Sequence, residues 1–319
     1  MSTVTKAPPV VGALCGAVAV FCFSVNDMAI KFLSGDYALH EVILLRSLCA
    51  LVLILAVVLP VSGGLSALKT RRPGLHAVRG LCVVVANMAF FLGVAALPLA
   101  DAVAIFFVSP LLITAFSVIF LGETVGPRRW AAIALGLAGV LIVLRPGTSA
   151  FQPAALLPLL GATGYAGLHT FTRRLGTTDS AATMAVYIQL SFILVSGTIG
   201  LAIGDGRFTG WDSPSLEFFF RGWTWPAAGD WPVIGLVGLC SGAGGFFISQ
   251  AYRISEAALV APMEYIAMPM AVIWGVTIFG EWPDLAAWCG IVLIVGSGLF
   301  LIWRETQAGR EAPRPRLRR

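Results

Sequence analysis

One short unit occurs twice in this chain. Pro110 is followed by Gly122-Glu123 and then Trp130; in the second half, Pro269 is followed by Gly280-Glu281 and then Trp288. The interval from Gly-Glu to Trp is the same in both copies. Each copy reads as an apolar helix that runs into a Gly-Glu hairpin, from which a second apolar helix leaves. A duplicated helix–hairpin–helix unit in so apolar a chain points to a two-repeat membrane architecture, in which the site lies between the repeats.

Charged residues make up only 12% of the chain and hydrophobic residues 58%, with a mean hydropathy of +0.89. A soluble domain carries roughly 25% charged residues, so lipid must solvate most of this surface. A membrane helix needs about 20 mostly apolar residues. Such runs fall at 10–33, 40–61, 75–96, 101–121, 128–144, 153–172, 181–203, 232–252, 256–279 and 284–303. The expected fold class is therefore an all-α polytopic membrane protein of ten transmembrane helices. The first run is too long for a signal-peptide core and is read as a retained span. Cys15, Cys22, Cys49, Cys82, Cys240 and Cys289 all lie in apolar runs without a CxxC pair, so they read as packing residues rather than metal ligands.

Charge sets the direction. With the N-terminus inside, the inside segments collect Lys6, Lys69, Arg71, Arg72, Arg128, Arg129, Arg173, Arg174, Arg253, Arg304 and the five arginines of the tail. The outside segments hold only Arg145, Arg207 and Arg221. Both termini are thus expected in the cytoplasm. The basic balance is an orientation signal beside anionic lipid and implies no nucleic-acid partner. Five spans per half is an odd number, so the second half enters the membrane from the other side. The expected organisation is two inverted five-helix repeats, 1–148 and 149–305, followed by a basic tail at 306–319. Asp27 and Lys31 correspond to His169 and Arg173 at one constant offset. The long connection 204–231 is rich in Trp and Phe. It is expected to lie along the membrane–water interface, or alternatively to cover a cavity.

Polar residues at membrane depth are costly and mark function. Asp27 and Lys31 share a helix face and, with Arg46 near the start of span two, are expected to form a network on the outer side. Arg79 and Glu264 lie at similar depth in different halves and could close an inner gate. Glu264 and then His169 are the candidates for a proton-coupling group. Asn87, Tyr165, Tyr265, Ser241 and Asn26 are the candidate substrate contacts, because they offer donors, acceptors and flat apolar faces near mid-membrane. Pro110, Pro262 and Pro269 are candidate hinges. Gly161, Gly164 and Gly167 form a strip suited to close helix packing. Spans five and ten are the most uniformly apolar, and are expected to face lipid or a second subunit in a homodimer.

The paired Pro…Gly-Glu units, the ten spans and the inverted arrangement resemble the drug/metabolite transporter superfamily, specifically its EamA-type exporters. Arg46 also looks like an arginine common in that family. The resemblance covers nearly the whole chain, although Asp101 precedes Pro110 by fewer residues than Glu256 precedes Pro269. It implies a secondary transporter in the bacterial inner membrane that works by rocking of the two halves. It is most like exporters of aromatic and other hydrophobic amino acids, with riboflavin or other metabolites and drugs as the alternative. GxxxxGK[ST], HExxH and GxSxG are all missing from the sequence, so no nucleotide, metal or other cofactor is expected. A polytopic membrane enzyme is the alternative outside this class, and it lacks a nucleophile or metal constellation.

Overall fold

The computed structural model describes residues 9–311, apart from 59, 61–63, 65–67, 123–125, 149–150, 176–178, 180 and 255–262. Pro262 and Glu123 lie outside the described residues. The elements are α1 (Pro9–Leu33), α2 (Leu39–Leu53), α3 (Pro73–Ala96), α4 (Leu99–Phe106), α5 (Ser109–Leu121), α6 (Pro127–Leu144), α7 (Leu156–Leu175), α8 (Ala181–Ile203), α9 (Pro214–Phe220), α10 (Trp231–Ile254), α11 (Ala267–Phe279) and α12 (Leu285–Glu311). The fourth span is divided between α4 and α5, and α9 is a short helix in the long connection, so these elements make ten spans. Six are long and apolar enough to cross a membrane outright, and three shorter apolar helices and α7 make up the ten. Leu194, Leu201 and Val292 point outward, as lipid-facing side chains must.

The two hairpins show why the glycine recurs. Gly280 caps α11 with φ 68°, a left-handed conformation that favours glycine, and the Glu281 N–H turns back to the Gly275 carbonyl at 2.9 Å. Gly122 has the same hand, φ 69°. Each repeated proline sits in the first turn of its helix. Pro110 is the second residue of α5 and Pro269 the third of α11. They therefore remove few helix bonds, because first-turn N–H groups have no intrahelical acceptor. The break in the fourth span is the Phe107–Val108 turn just before Pro110.

Helix pairing follows the inverted repeat. α1 packs on α10 and α3 on α7; α2 lies on both α10 and α8, and α3 on α8. Exchanging each span for its counterpart five spans away maps this set onto itself. The main packing therefore crosses the halves instead of filling each one. Spans 1, 2, 8 and 9 form one group and spans 3, 4, 6 and 7 the other. The two sequence halves are thus interleaved rather than packed as separate bodies.

Small residues allow the close approaches. A Cβ at Gly161 would come within 2.9 Å of the Ala86 carbonyl oxygen, and one at Gly164 within 3.0 Å of the Cys82 carbonyl oxygen, so this strip does seat α7 on α3. Gly238 and Gly242 press α10 on α2, and Gly244 presses it on Phe23 of α1. α6 and α12 run antiparallel and meet backbone to backbone, with Gly139 against Gly290. One face of each is thus covered by the other rather than by lipid or a second subunit.

Candidate functional site

Between the two groups, at mid-depth, lies a buried polar centre. Asn26 Nδ2 donates to Asp27 Oδ1 at 3.1 Å on α1. Arg46, two turns into α2, donates from Nη2 to Asn87 Oδ1 on α3 at 2.9 Å. Its guanidinium lies over Phe192 at 5.0 Å and over Phe91 at 5.8 Å, an arrangement that offers cation–π attraction on two sides. The charge of Asp27 also acts on it. Asn26 Oδ1, Arg46 Nε and Gln189 Oε1 are buried without a hydrogen-bond partner among the described residues. Buried polar atoms of this kind are costly unless something binds them. Trp274 on α11 ties to Ser24 on α1 at 2.9 Å.

Around the break in the fourth span the lining turns aromatic. Phe106 faces Phe90 at 4.9 Å and Tyr165 at 5.3 Å, while Phe107 stacks on Tyr265 at 5.2 Å. Tyr165 meets His169 edge-on at 4.4 Å. The Tyr265 hydroxyl is aimed at Gly298 of α12, where a Cβ would lie 1.6 Å away, so a larger residue there would have to displace the tyrosine ring. The charge of Glu264 acts on both tyrosines, and that of Arg79 on His169. Arg79 also donates to the Met184 carbonyl at 3.1 Å. Ser241 is half-buried on α10 among the glycines that pack on α1 and α2.

The expected Asp27–Lys31–Arg46 network is divided. Lys31 sits at the end of α1, and its Nζ reaches Glu281 Oε1 at 2.7 Å and the Leu97 carbonyl at 2.5 Å, with the Phe279 ring 5.1 Å away. Glu281 Oε2 accepts the Leu99 N–H at 2.9 Å. Arg46, the eighth residue of α2, turns instead to Asn87 in the middle of α3. The Lys31–Glu281 pair lies within one helix group, and its bonds to the Leu97 carbonyl and the Leu99 N–H tie that group to the other at this end of the molecule. It was missed in the sequence because its three segments share no local pattern. The repeated Gly-Glu was the available signal.

The long connection docks over the same end. Tyr37 donates to Asp230 Oδ2 at 2.5 Å and accepts the Ala227 N–H at 3.0 Å; the Trp223 indole N–H donates to His40 Nδ1; Arg221 donates to the Ser34 and Tyr37 carbonyls. Asp230 raises the Tyr37 phenol above its ordinary value through that hydrogen bond. Two backbone N–H groups, those of Trp211 and Gly210, hold Glu217 below the usual carboxylate range. At the opposite end, His76 Nε2 lies 2.6 Å from Asp179 Oδ2 and stacks on Tyr187 at 4.4 Å.

Comparison with known proteins fits this geometry. The profile of the EamA-like transporter family matches residues 10–145. A riboflavin transporter of Rhizobium johnstonii is 31% identical over 78% of this chain and 76% of its own. An S-adenosylmethionine uptake transporter of Rickettsia prowazekii is 26% identical over 89% of this chain and 90% of its own. A solved crystal structure, 19% identical, superposes with a TM-score of 0.61 over 94% of this chain and 99% of the other, which bears on the fold alone. The chain belongs to the EamA-like transporters of the drug/metabolite transporter superfamily.

Proposed function

We propose that this transporter carries a small metabolite with a planar aromatic ring across a bacterial inner membrane by alternating access. The observation that carries this reading is the aromatic lining at the break of the fourth span, set beside the buried Arg46–Asn87 pair. Flat rings suit stacking between Phe106, Phe107, Tyr165 and Tyr265. The Asn87 carboxamide and the unpartnered Asn26 oxygen suit a polar edge. Riboflavin is the first compound to test, because a relative at 31% identity bears that name. Aromatic amino acids, the sequence expectation, stand second. The moving bodies are the two mixed helix groups, with the Phe107–Val108 turn as the flexible joint. Lys31–Glu281 closes one end, and Arg79 with Glu264 serves the other. The charge map supports cytoplasmic termini and repeats bounded at 148 and 305. Such a carrier has no built-in direction, so the substrate gradient sets the sign of net flux; export is one case of this.

Counterflow into proteoliposomes, with labelled riboflavin, S-adenosylmethionine and tryptophan in competition, tests the reading. Saturable flux that drops at least tenfold in Asn87→Ala supports it. Flux no greater than in empty liposomes for all three compounds overturns it.

A further inference from the structure

A cavity of about 280 Å³ opens at the Lys31 end. Its walls come from the start of α4 (Asp101), the end of α6 (Arg145), the approach to α7 (Gln152) and the hairpin before α12 (Trp282, Asp284). Four separate segments of the chain therefore contribute to it.

Its charges are unevenly matched. Asp101 feels Asp284, Arg145, Glu281 and Lys31. Arg145 is bonded to Asp284, and Lys31 to Glu281. Two cations stand against three carboxylates, and Asp101 is the one left over. One of its carboxylate oxygens is buried and accepts no hydrogen bond. Arg145 Nε is likewise buried and donates none, since its bond to Asp284 uses Nη2. Arg145 is also the non-glycine residue with positive φ among those described, 49°, at the left-handed cap of α6. Non-glycine residues adopt that conformation where the surroundings impose it. Trp282, 76% exposed, provides a broad apolar wall beside these groups.

We infer that this cavity is a separate binding site for the ammonium–carboxylate headgroup of a free α-amino acid. The ammonium group compensates Asp101, and the carboxylate takes the idle Nε–H of Arg145 in a charge-assisted hydrogen bond. The side chain lies against Trp282. The cavity volume suits an amino acid better than a drug-sized ligand, for which pockets run from about 300 to 1,000 Å³. The headgroup sits beside Lys31–Glu281, so occupancy bears directly on the closed end.

The test is binding of tritiated tryptophan to the purified full-length protein by scintillation proximity. Tryptamine (no carboxylate) and indole-3-propionate (no ammonium) serve as competitors. Saturable binding is expected, with both analogues at least tenfold weaker than tryptophan. Asp101→Asn should weaken binding at least tenfold. Arg145→Lys, which keeps a cation for Asp284 but has no Nε–H, should weaken it about fivefold. Trp282→Ala alters an exposed side chain, keeps the fold and should weaken binding severalfold. The proposal is overturned if wild type shows no saturable binding, if indole-3-propionate competes as well as tryptophan, or if Trp282→Ala and Arg145→Lys both bind as wild type does.

Discussion

Replacing Glu281 with glutamine removes the charge that holds the Lys31 end closed. The Lys31 side chain is 9% exposed and that of Glu281 26%, so the pair is largely shielded from water. Glutamine keeps one acceptor oxygen for the Leu99 N–H but no longer neutralises the ammonium group. Losing one partner of a fully buried pair costs about 3–5 kcal/mol. Water reaches part of Glu281, and Lys31 retains the Leu97 carbonyl, so about 2 kcal/mol is the reasonable figure here. At 1.4 kcal/mol per factor of ten, the closed end loses about 30-fold in population relative to open forms. Hydrogen exchange in nanodiscs reads this directly, because the Leu99 amide is bonded to Glu281. The peptide covering residues 97–103 should exchange roughly 30-fold faster in Glu281→Gln. Lys31→Gln should do the same, and the double variant should add little, as expected for two residues acting through one contact. Unchanged exchange in a folded Glu281→Gln protein, or full additivity in the double variant, would refute the reasoning.

Tyr37→Phe removes the bonds to Asp230 and to the Ala227 N–H; at about 1.5–3 kcal/mol for a hydrogen bond to a charged group, trypsin should cut after Arg221 about tenfold faster, and an unchanged rate counts against the docked connection. Gly161→Val places a side chain against the Ala86 backbone and should cost about 1–3 kcal/mol, seen as a lower melting temperature in detergent. Gly197 has open space around it, so Gly197→Ala should be neutral or stabilising by up to about 1 kcal/mol; a loss as large as that of Gly161→Val would discredit the packing argument. Arg145, and then the Ala287 N–H, hold Asp284 below the usual carboxylate range. A depressed folded value means that the contribution is complete above the ordinary aspartate value of about 4 and fades as pH falls through the depressed one. The melting-temperature gap between wild type and Asp284→Asn should therefore be constant from neutral pH to about 5 and close below about 4; a gap that widens with acid contradicts the pairing.

Much of the fold was legible because membrane solvation imposes simple rules. Apolar runs of fixed length located the spans, the odd number per repeat implied inversion, and the Gly161–Gly164–Gly167 strip foretold a close helix neighbour. Partner choice was not legible. Nothing local says that α1 prefers α10, or that Lys31 prefers Glu281 to Asp27, one turn behind it on the same helix. The i, i+4 rule suggested a local pair, but the Leu97 carbonyl and Glu281 together satisfy the ammonium better than one carboxylate can. Asp101 and Arg145 were given no part in a site for a similar reason. Each is ordinary in its own segment, and only the hairpin carrying Trp282 and Asp284 makes a cavity of them. Asn87 stood out correctly as a polar residue with no local purpose, and its partner proved to be Arg46.

The cross-half pairing has a consequence for how the chain is made. α1, α2 and α3 leave the ribosome long before α7, α8 and α10, on which they pack. Asn26, Asp27 and Arg46 must therefore enter the bilayer while the walls that will enclose them are still unsynthesised. During that interval, lipid, water drawn in from the headgroups, or the insertion machinery has to accommodate these polar side chains. The order of synthesis thus makes the late helices, rather than the early ones, the step that commits the protein to its native arrangement.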